Sequence, residues 1–404
     1  MSSKLTSLLL VSIFKNILND KIVLLFVKFL NQLSSEEKNF VGDLKLYSEF
    51  ITSFYDASSN QNLYEYIKKL IYTDENIISK GCLSCIRENA QLIHTAKYEL
   101  TLLDNLLSFD YQTIKDLFLF KYPRMTEMIN HLPAFSTDNK INFVLDDIIN
   151  SYSSNGYGIF SCYSAFKYTE NMEVKPVEFI DSISFDDLKN YKYQQDILKQ
   201  NTKAFLDGKT ANNVLLYVDR GCGKSSSVKA LLNEFSDYNL KVIQVYKEAF
   251  LKLPELYDKL RNLPLKFIIF ADDISFDEDE KNFSSIKAIL EGSLSNRPSN
   301  VLIYATTNRM HLVKESFSAR EGNEVHYNDT IDEMVSLSDR FGIILTFSSL
   351  IKNEYLDIVK QIASDCCVEI NENLLQQACT FSMQKGIMTP RIARQFIIDY
   401  IANN

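Results

Sequence analysis

The sequence predicts an α/β protein: a parallel-sheet core preceded by an all-helical domain and followed by a small helical one. Three observations predict it. Residues 1–150 are poor in Gly and Pro and carry apolar residues at helical spacing. From residue 176 onward, short apolar runs alternate with helical patterns, as in a parallel sheet covered on both faces. After residue 347 the helical spacing returns.

In the first segment Leu5, Leu9, Ile13 and Ile17 recur every fourth residue and read as one amphipathic, core-facing helix. The competing reading is a helix lying on a membrane surface. Further on, Leu102, Leu103, Leu106 and Leu107 make a stripe that Ile114, Leu117 and Phe118 extend. Residues 151–175 read as a connector or small hairpin: Ser154-Asn155-Gly156-Tyr157-Gly158 has turn chemistry, and an aromatic, Ser-rich run follows.

The core is expected over 176–347. Its strands are read at Asn213–Val218, Lys241–Val245, Phe267–Ala271, Val301–Thr306 and Ile343–Phe347. Its helices are read at Ser225–Phe235, Glu248–Arg261 and Ser284–Glu291, with a polar helical stretch near Asp329–Leu337. Residues 348–404 form the last helical domain. Tyr355, Ile358, Val359 and Ile362 mark one stripe there, and Ile392, Phe396 and Ile397 another.

The chain has 404 residues, enough for two or three domains and a large core without disulfides. Seven scattered cysteines fit a reduced, cytoplasmic chain. A net charge of −9 argues against a whole-protein coat of nucleic acid. Spanning a bilayer takes about 20 unbroken apolar residues, and no such run is present.

The strongest chemical signal is Val218-Asp219-Arg220-Gly221-Cys222-Gly223-Lys224-Ser225, between a strand and a helix. This is the context of a phosphate-binding loop. Backbone N–H groups across Asp219, Arg220, Gly221, Cys222, Gly223, Lys224, Ser225 and Ser226 would surround phosphate oxygens at a helix N-terminus. Lys224 would reach the outer phosphates, and the Ser225 hydroxyl would ligate Mg²⁺. Gly221 and Gly223 allow the backbone to come close to the phosphates.

About fifty residues later, Phe267-Ile268-Ile269-Phe270-Ala271 ends in Asp272 and Asp273. Phosphoryl transfer needs a carboxylate in the metal shell and a group that positions water. Asp272 suits the first role and Asp273 the second. Tyr304-Ala305-Thr306-Thr307-Asn308 ends another strand, and Thr307 or Asn308 could orient the attacking water. Arg340, in Ser338-Asp339-Arg340-Phe341-Gly342, could stabilise charge on a neighbouring subunit's phosphate. In Thr389-Pro390-Arg391-Ile392-Ala393-Arg394, Pro390 can start a helix with Arg391 in its first turn and Arg394 one turn on.

In order and spacing these features resemble an AAA+ ATPase. By that resemblance Lys224 and Ser225 match Walker A, Asp272 and Asp273 match Walker B, Asn308 matches sensor 1, Arg340 the arginine finger and Arg391 sensor 2. Three stretches are closer still to a bacterial family numbered 815 among domains of unknown function. They are Asn212-Asn213-Val214-Leu215-Leu216-Tyr217, Arg297-Pro298-Ser299-Asn300 with the strand after it, and Ser336-Leu337-Ser338-Asp339-Arg340-Phe341-Gly342. The similarity covers residues 175–404.

The resemblance implies an AAA+ P-loop core with a C-terminal helical lid. It implies ATP and Mg²⁺ as ligands, a homo-oligomer, and an unidentified protein client moved by ATP hydrolysis. Two positions depart from the pattern: Val218 stands where the loop usually begins with Gly, and Asp273 where AAA+ proteins usually carry Glu. They motivate the alternative, a nucleotide-binding scaffold or adaptor with little or no hydrolysis. Nucleic acid is left open as a partner, although no aromatic-and-basic ladder supports it.

The remaining features carry less. Cys82 and Cys85 have zinc-like spacing with His94 downstream, but a second Cys pair at ligand spacing is missing. Cys222 reads as a small tolerated side chain in the loop. The run Asp277–Glu280 reads as a solvated acidic loop, and His311 and His326 lack a nucleophile partner.

Overall fold

The computed structural model describes residues 2–58, 61–81, 83–137, 142–188, 191–218, 224–272, 276–277, 297–307, 313–314, 341–347 and 349–403. By contacts the chain divides into two compact units, Met1–Cys162 and Tyr163–Asn404.

The first unit is helical. Its longer helices are α1 (Lys21–Leu33), α2 (Phe40–Ala57), α3 (Leu63–Thr73), α4 (Ala90–Leu107), α5 (Tyr111–Lys121) and α6 (Leu145–Asn155). Five of them start at Asp20, Asn39, Asn62, Asn89 and Asp110, whose side chains accept backbone N–H groups of the first turn. Such a cap contributes about 1 kcal/mol. The interior is aromatic: Phe26, Phe29, Tyr47, Phe50, Phe54 and Phe118 are fully buried. The Leu102, Leu103, Leu106 and Leu107 stripe is buried, as its spacing predicts.

Residues 2–18 depart from the single helix that Leu5, Leu9, Ile13 and Ile17 suggest. They form short turns at Ser2–Thr6, Ser7–Leu10 and Lys15–Leu18. Leu5 and Ile17 are buried, but Leu9 is 84% exposed. The cause is a distant carboxylate. Glu99, fully buried on α4, accepts the N–H groups of Ser12, Ile13 and Phe14 at 2.9, 2.9 and 3.1 Å, and the Ser12 hydroxyl at 2.7 Å. N–H groups committed to one carboxylate cannot also run along a helix.

The second unit opens with a hairpin, β1 (Ala165–Tyr168) and β2 (Val174–Pro176). Then follow α7 (Lys192–Leu206), β3 (Val214–Val218), α8 (Lys224–Glu234), β4 (Leu240–Val245), α9 (Leu253–Leu260) and β5 (Lys266–Ala271). Two more strands, β6 (Val301–Thr307) and β7 (Ile343–Phe347), complete a seven-stranded sheet of order β2-β1-β4-β5-β6-β3-β7. All neighbours pair in parallel except β1 with β2. The hairpin is thus part of the main sheet, with Phe166 opposite Ile243.

Every residue of β6 is buried, as expected of a central strand covered on both faces. The helix expected over Glu248–Arg261 is split. A 3₁₀ turn, Lys247–Lys252, precedes α9, because Pro254 favours a helix's first turn and has no N–H to bond backward. The expected helices Ser284–Glu291 and Asp329–Leu337 lie outside the described residues.

Three helices end the unit: α10 (Lys352–Asp365), α11 (Glu372–Lys385) and α12 (Pro390–Asn403). Tyr355, Ile358, Val359, Ile362, Ile392, Phe396 and Ile397 form their own apolar cluster, the two stripes read from the sequence. Among the described residues no helix is long and apolar enough to cross a membrane.

Candidate functional site

Parallel strands present their C-terminal ends on one side of the sheet, and ligands of open α/β sheets bind there. β3 runs between β6 and the edge strand β7, and α8 is the next described element after it. Residues Asp219, Arg220, Gly221, Cys222 and Gly223 lie outside the described residues. Lys224 and Ser225 open α8, and Ser226 follows in its first turn.

Asp272 is the residue just past the end of β5. The register pairs Ala271 with Ala305, which sets Thr306 across from Asp272. The Thr306 hydroxyl, fully buried, donates to Asp272 Oδ1 at 2.7 Å. Thr306 was not singled out from the sequence. The register of the two strand ends could have flagged it. Thr307 is also fully buried, at the end of β6. Asp273, Asn308 and Arg340 lie outside the described residues.

A cleft of about 760 Å³ opens beside the first turn of α8. Ser226 and Ser227 line it from α8, and Arg391 and Arg394 line it from α12. The structure therefore brings Arg391, and with it Arg394, to the cleft that α8 lines. Thr389 caps α12, its hydroxyl accepting the Ile392 N–H at 3.3 Å, and the first turn carries no acidic residue. Among the described residues no carboxylate pairs with either guanidinium. Cations near the positive end of a helix are unfavourable by a few tenths of a kcal/mol or more. Both arginines line the same cleft as Ser226 and Ser227 of α8. The charged lining of the cleft is Arg391 and Arg394 with Asp181 and Asp187.

The apolar wall of the cleft comes from Ile180, Ile183, Leu188, Tyr191, Phe347 and Ile362. Tyr191 adopts a left-handed backbone, φ +62°, at the start of α7. Its ring lies 5.0 Å from that of Phe347 and packs against both the sheet's apolar cluster and the C-terminal helices' cluster.

The segment 180–188 is tied down along α8. Asp181 pairs with Lys229 at 2.5 Å, and the Asn233 amide donates to the carbonyls of Asp181 and Ile183. Lys229 holds the Asp181 carboxyl below the usual carboxylate range, through its hydrogen bond first and its charge second. Asp187, the cleft's other acid, accepts the Ser184 N–H and hydroxyl at 2.8 and 2.7 Å. Both acids of the cleft thus have partners other than Arg391 and Arg394.

Of the stretches that carried the family resemblance, residues 336–340 lie outside the described residues, while Asn212, Asn213, Asn300 and Gly342 sit at the opposite ends of the strands. Asn213 Oδ1 accepts the Ile303 N–H at 3.0 Å and a bond from Arg297. The Asn201 amide both donates to and accepts from the backbone of Asn212, and donates to the Tyr304 hydroxyl. Asn300 donates to the carbonyls of Leu260, Leu263 and Leu265. A Cβ on Gly342 would meet Asn212 Oδ1 at 2.5 Å. These residues lock the starts of β3, β6 and β7 together. Burial holds the Arg297 guanidinium below its usual value and, against the bonds from Thr202 and Asn201, pushes Tyr304 up to about 12.

Elsewhere, Cys82 lies outside the described residues, as do His311, His326 and the acidic stretch from residue 278 on. Among the described residues no group of three or more His, Cys, Asp or Glu could hold a metal ion.

The Thermotoga maritima RuvB Holliday junction branch migration motor is 20% identical over 53% of this chain, with a TM-score of 0.34. The chain spans 62% of that RuvB chain. The FIGL-1 AAA domain in complex with ADP is 16% identical over 50% of this chain and 68% of its own, TM-score 0.34. Domain III of the Thermotoga maritima replication initiation protein DnaA is 15% identical over 56% of this chain and 90% of its own, TM-score 0.38. No curated protein matches the sequence. The family described as "Protein of unknown function (DUF815)" matches residues 161–404, more than half of the chain, so this chain, with its largely parallel sheet followed by three helices, belongs to that family.

Proposed function

We propose that the second unit binds Mg–ATP in the cleft between α8 and α12 and hydrolyses it in an assembly of several copies, moving an unidentified macromolecular client. The observation that carries this reading is one cleft lined by Ser226 and Ser227 of α8 and by Arg391 and Arg394, two arginines that have no carboxylate partner among the described residues.

In this reading the backbone of Asp219–Ser226 and the Lys224 ammonium hold the phosphates. Ser225 and Asp272 hold Mg²⁺, a hard cation suited to hydroxyl and carboxylate oxygens. Bound there, the ion would offset phosphate charge. Asp273 and Asn308 position water, and Arg391 draws the lid onto the phosphates. Arg340 reaches a neighbouring copy, so turnover depends on assembly. The base would lie against the apolar wall at Ile180, Ile183 and Tyr191. The lid, residues 348–404, would loosen from the core, 176–347, as phosphate leaves.

Binding tests the site. Lys224→Ala, Arg391→Ala and Arg394→Ala should each weaken Mg–ATP by roughly tenfold and leave adenosine unchanged, as expected for lost charge-assisted bonds. Lys224→Ala binding Mg–ATP as tightly as wild type would refute the assignment. Steady-state hydrolysis against protein concentration tests the chemistry, with Asp273→Asn as control. A rise steeper than linear supports assembly. Tight binding without turnover selects the scaffold, the reading that Val218 and Asp273 favour.

A further inference from the structure

Asp272 is a short carboxylate at a strand end, and the terminal torsion of such a side chain is broad. Something must fix its rotation if it is to meet a cation in one orientation. Thr306 is placed to do so. It sits on β6, between the acid-bearing β5 and the loop-bearing β3, with Leu216 opposite it on β3. Its side chain is fully buried and branched at Cβ, hence stiff, and its hydroxyl donates to Asp272 Oδ1 at 2.7 Å. A hydroxyl donating to a carboxylate is among the stronger hydrogen bonds.

We infer that Thr306 is a positioning residue for the divalent cation: its hydroxyl sets the Asp272 carboxylate in the orientation that the cation requires. The inference rests on the nucleotide reading of the cleft. It assigns Thr306 no contact with nucleotide, cation or water. Its effect should therefore show in the cation requirement and not in cation-free binding.

The test titrates the full chain with a fluorescent N-methylanthraniloyl-ATP, in EDTA and over a Mg²⁺ series. Thr306→Val keeps the shape and removes the donor; Thr306→Ser keeps the donor. Thr306→Val should bind the probe in EDTA within about twofold of wild type, yet need about tenfold more Mg²⁺ to reach its tight state, the scale of one lost bond to a charged group. Thr306→Ser should restore the wild-type requirement. An unchanged Mg²⁺ requirement in Thr306→Val overturns the inference. So does an equal loss with and without Mg²⁺, which marks a purely structural bond, or a failure of Thr306→Ser to restore the response. A wild-type protein whose probe binding ignores both Mg²⁺ and Lys224→Ala would instead defeat the nucleotide reading itself, and the inference with it.

Discussion

The carboxylate of Asp181 lies 2.5 Å from the ammonium nitrogen of Lys229, so one side of the cleft is tied to the helix that begins the other. Both partners are largely exposed, and ion pairs of this kind add little to global stability. The pair's effect is local order in segment 180–188, reinforced by Asn233.

Asp181→Asn should therefore leave the melting temperature unchanged and weaken Mg–ATP by roughly two- to fivefold at low salt, because the segment must be ordered on binding. The difference should close as salt rises toward about 0.5 M, where the Debye length is only a few ångströms. Affinity measured across a salt series checks this. An effect that persists at high salt would place the loss elsewhere.

Glu99→Gln should damage the first unit. The amide keeps the size but has one acceptor oxygen, where the carboxylate serves three N–H groups and a hydroxyl. Leaving buried N–H groups unmet should cost about 2–3 kcal/mol. Hydrogen exchange should show residues 11–14 opening far more often in the variant, while Mg–ATP binding holds its wild-type value.

Stability should fall as pH rises from 10 to 12. Burial raises the Tyr304 hydroxyl to about 12, so the folded protein keeps a proton that an unfolded chain releases near 10. The stabilisation is fully present below pH 10 and is lost through pH 12. Tyr304→Phe removes this contribution, and its unfolding free energy should fall by about 2 kcal/mol less over that range. Other buried tyrosines share the trend, so the comparison is between wild type and variant. Chemical denaturation at pH 9 and pH 12 supplies the difference.

The strands were legible because they are buried on both faces. Runs such as Phe267-Ile268-Ile269-Phe270-Ala271 have little alternative to a central parallel strand. The C-terminal helices were legible from their stripes, since those helices bury one face each. The break at residues 11–14 was not, because its cause, Glu99, is far along the chain and looks like an ordinary exposed residue on a helix. The site divides the same way. The loop, its lysine and the acidic strand end follow a local pattern. Thr306 and Arg394 acquire meaning only through strand register and through the approach of α12 to α8, relationships between segments that composition does not carry. Asn212, Asn213 and Asn300 drew notice as family signatures, and the structure gives them the work of holding strand starts together.

The sheet closes itself at both margins. On one side β2 is three residues long and ends in Pro176, which has no N–H to offer a further strand. On the other, the Gln194 amide of α7 donates to the Thr346 carbonyl of β7 at 2.9 Å, occupying an acceptor of that edge. Neither margin is a ready template for strand addition. Among the described residues, then, the surfaces best suited to a second copy are helices and loops, whose contacts can form and release as those segments shift, rather than a continuous ladder of backbone bonds that would lock neighbours in place.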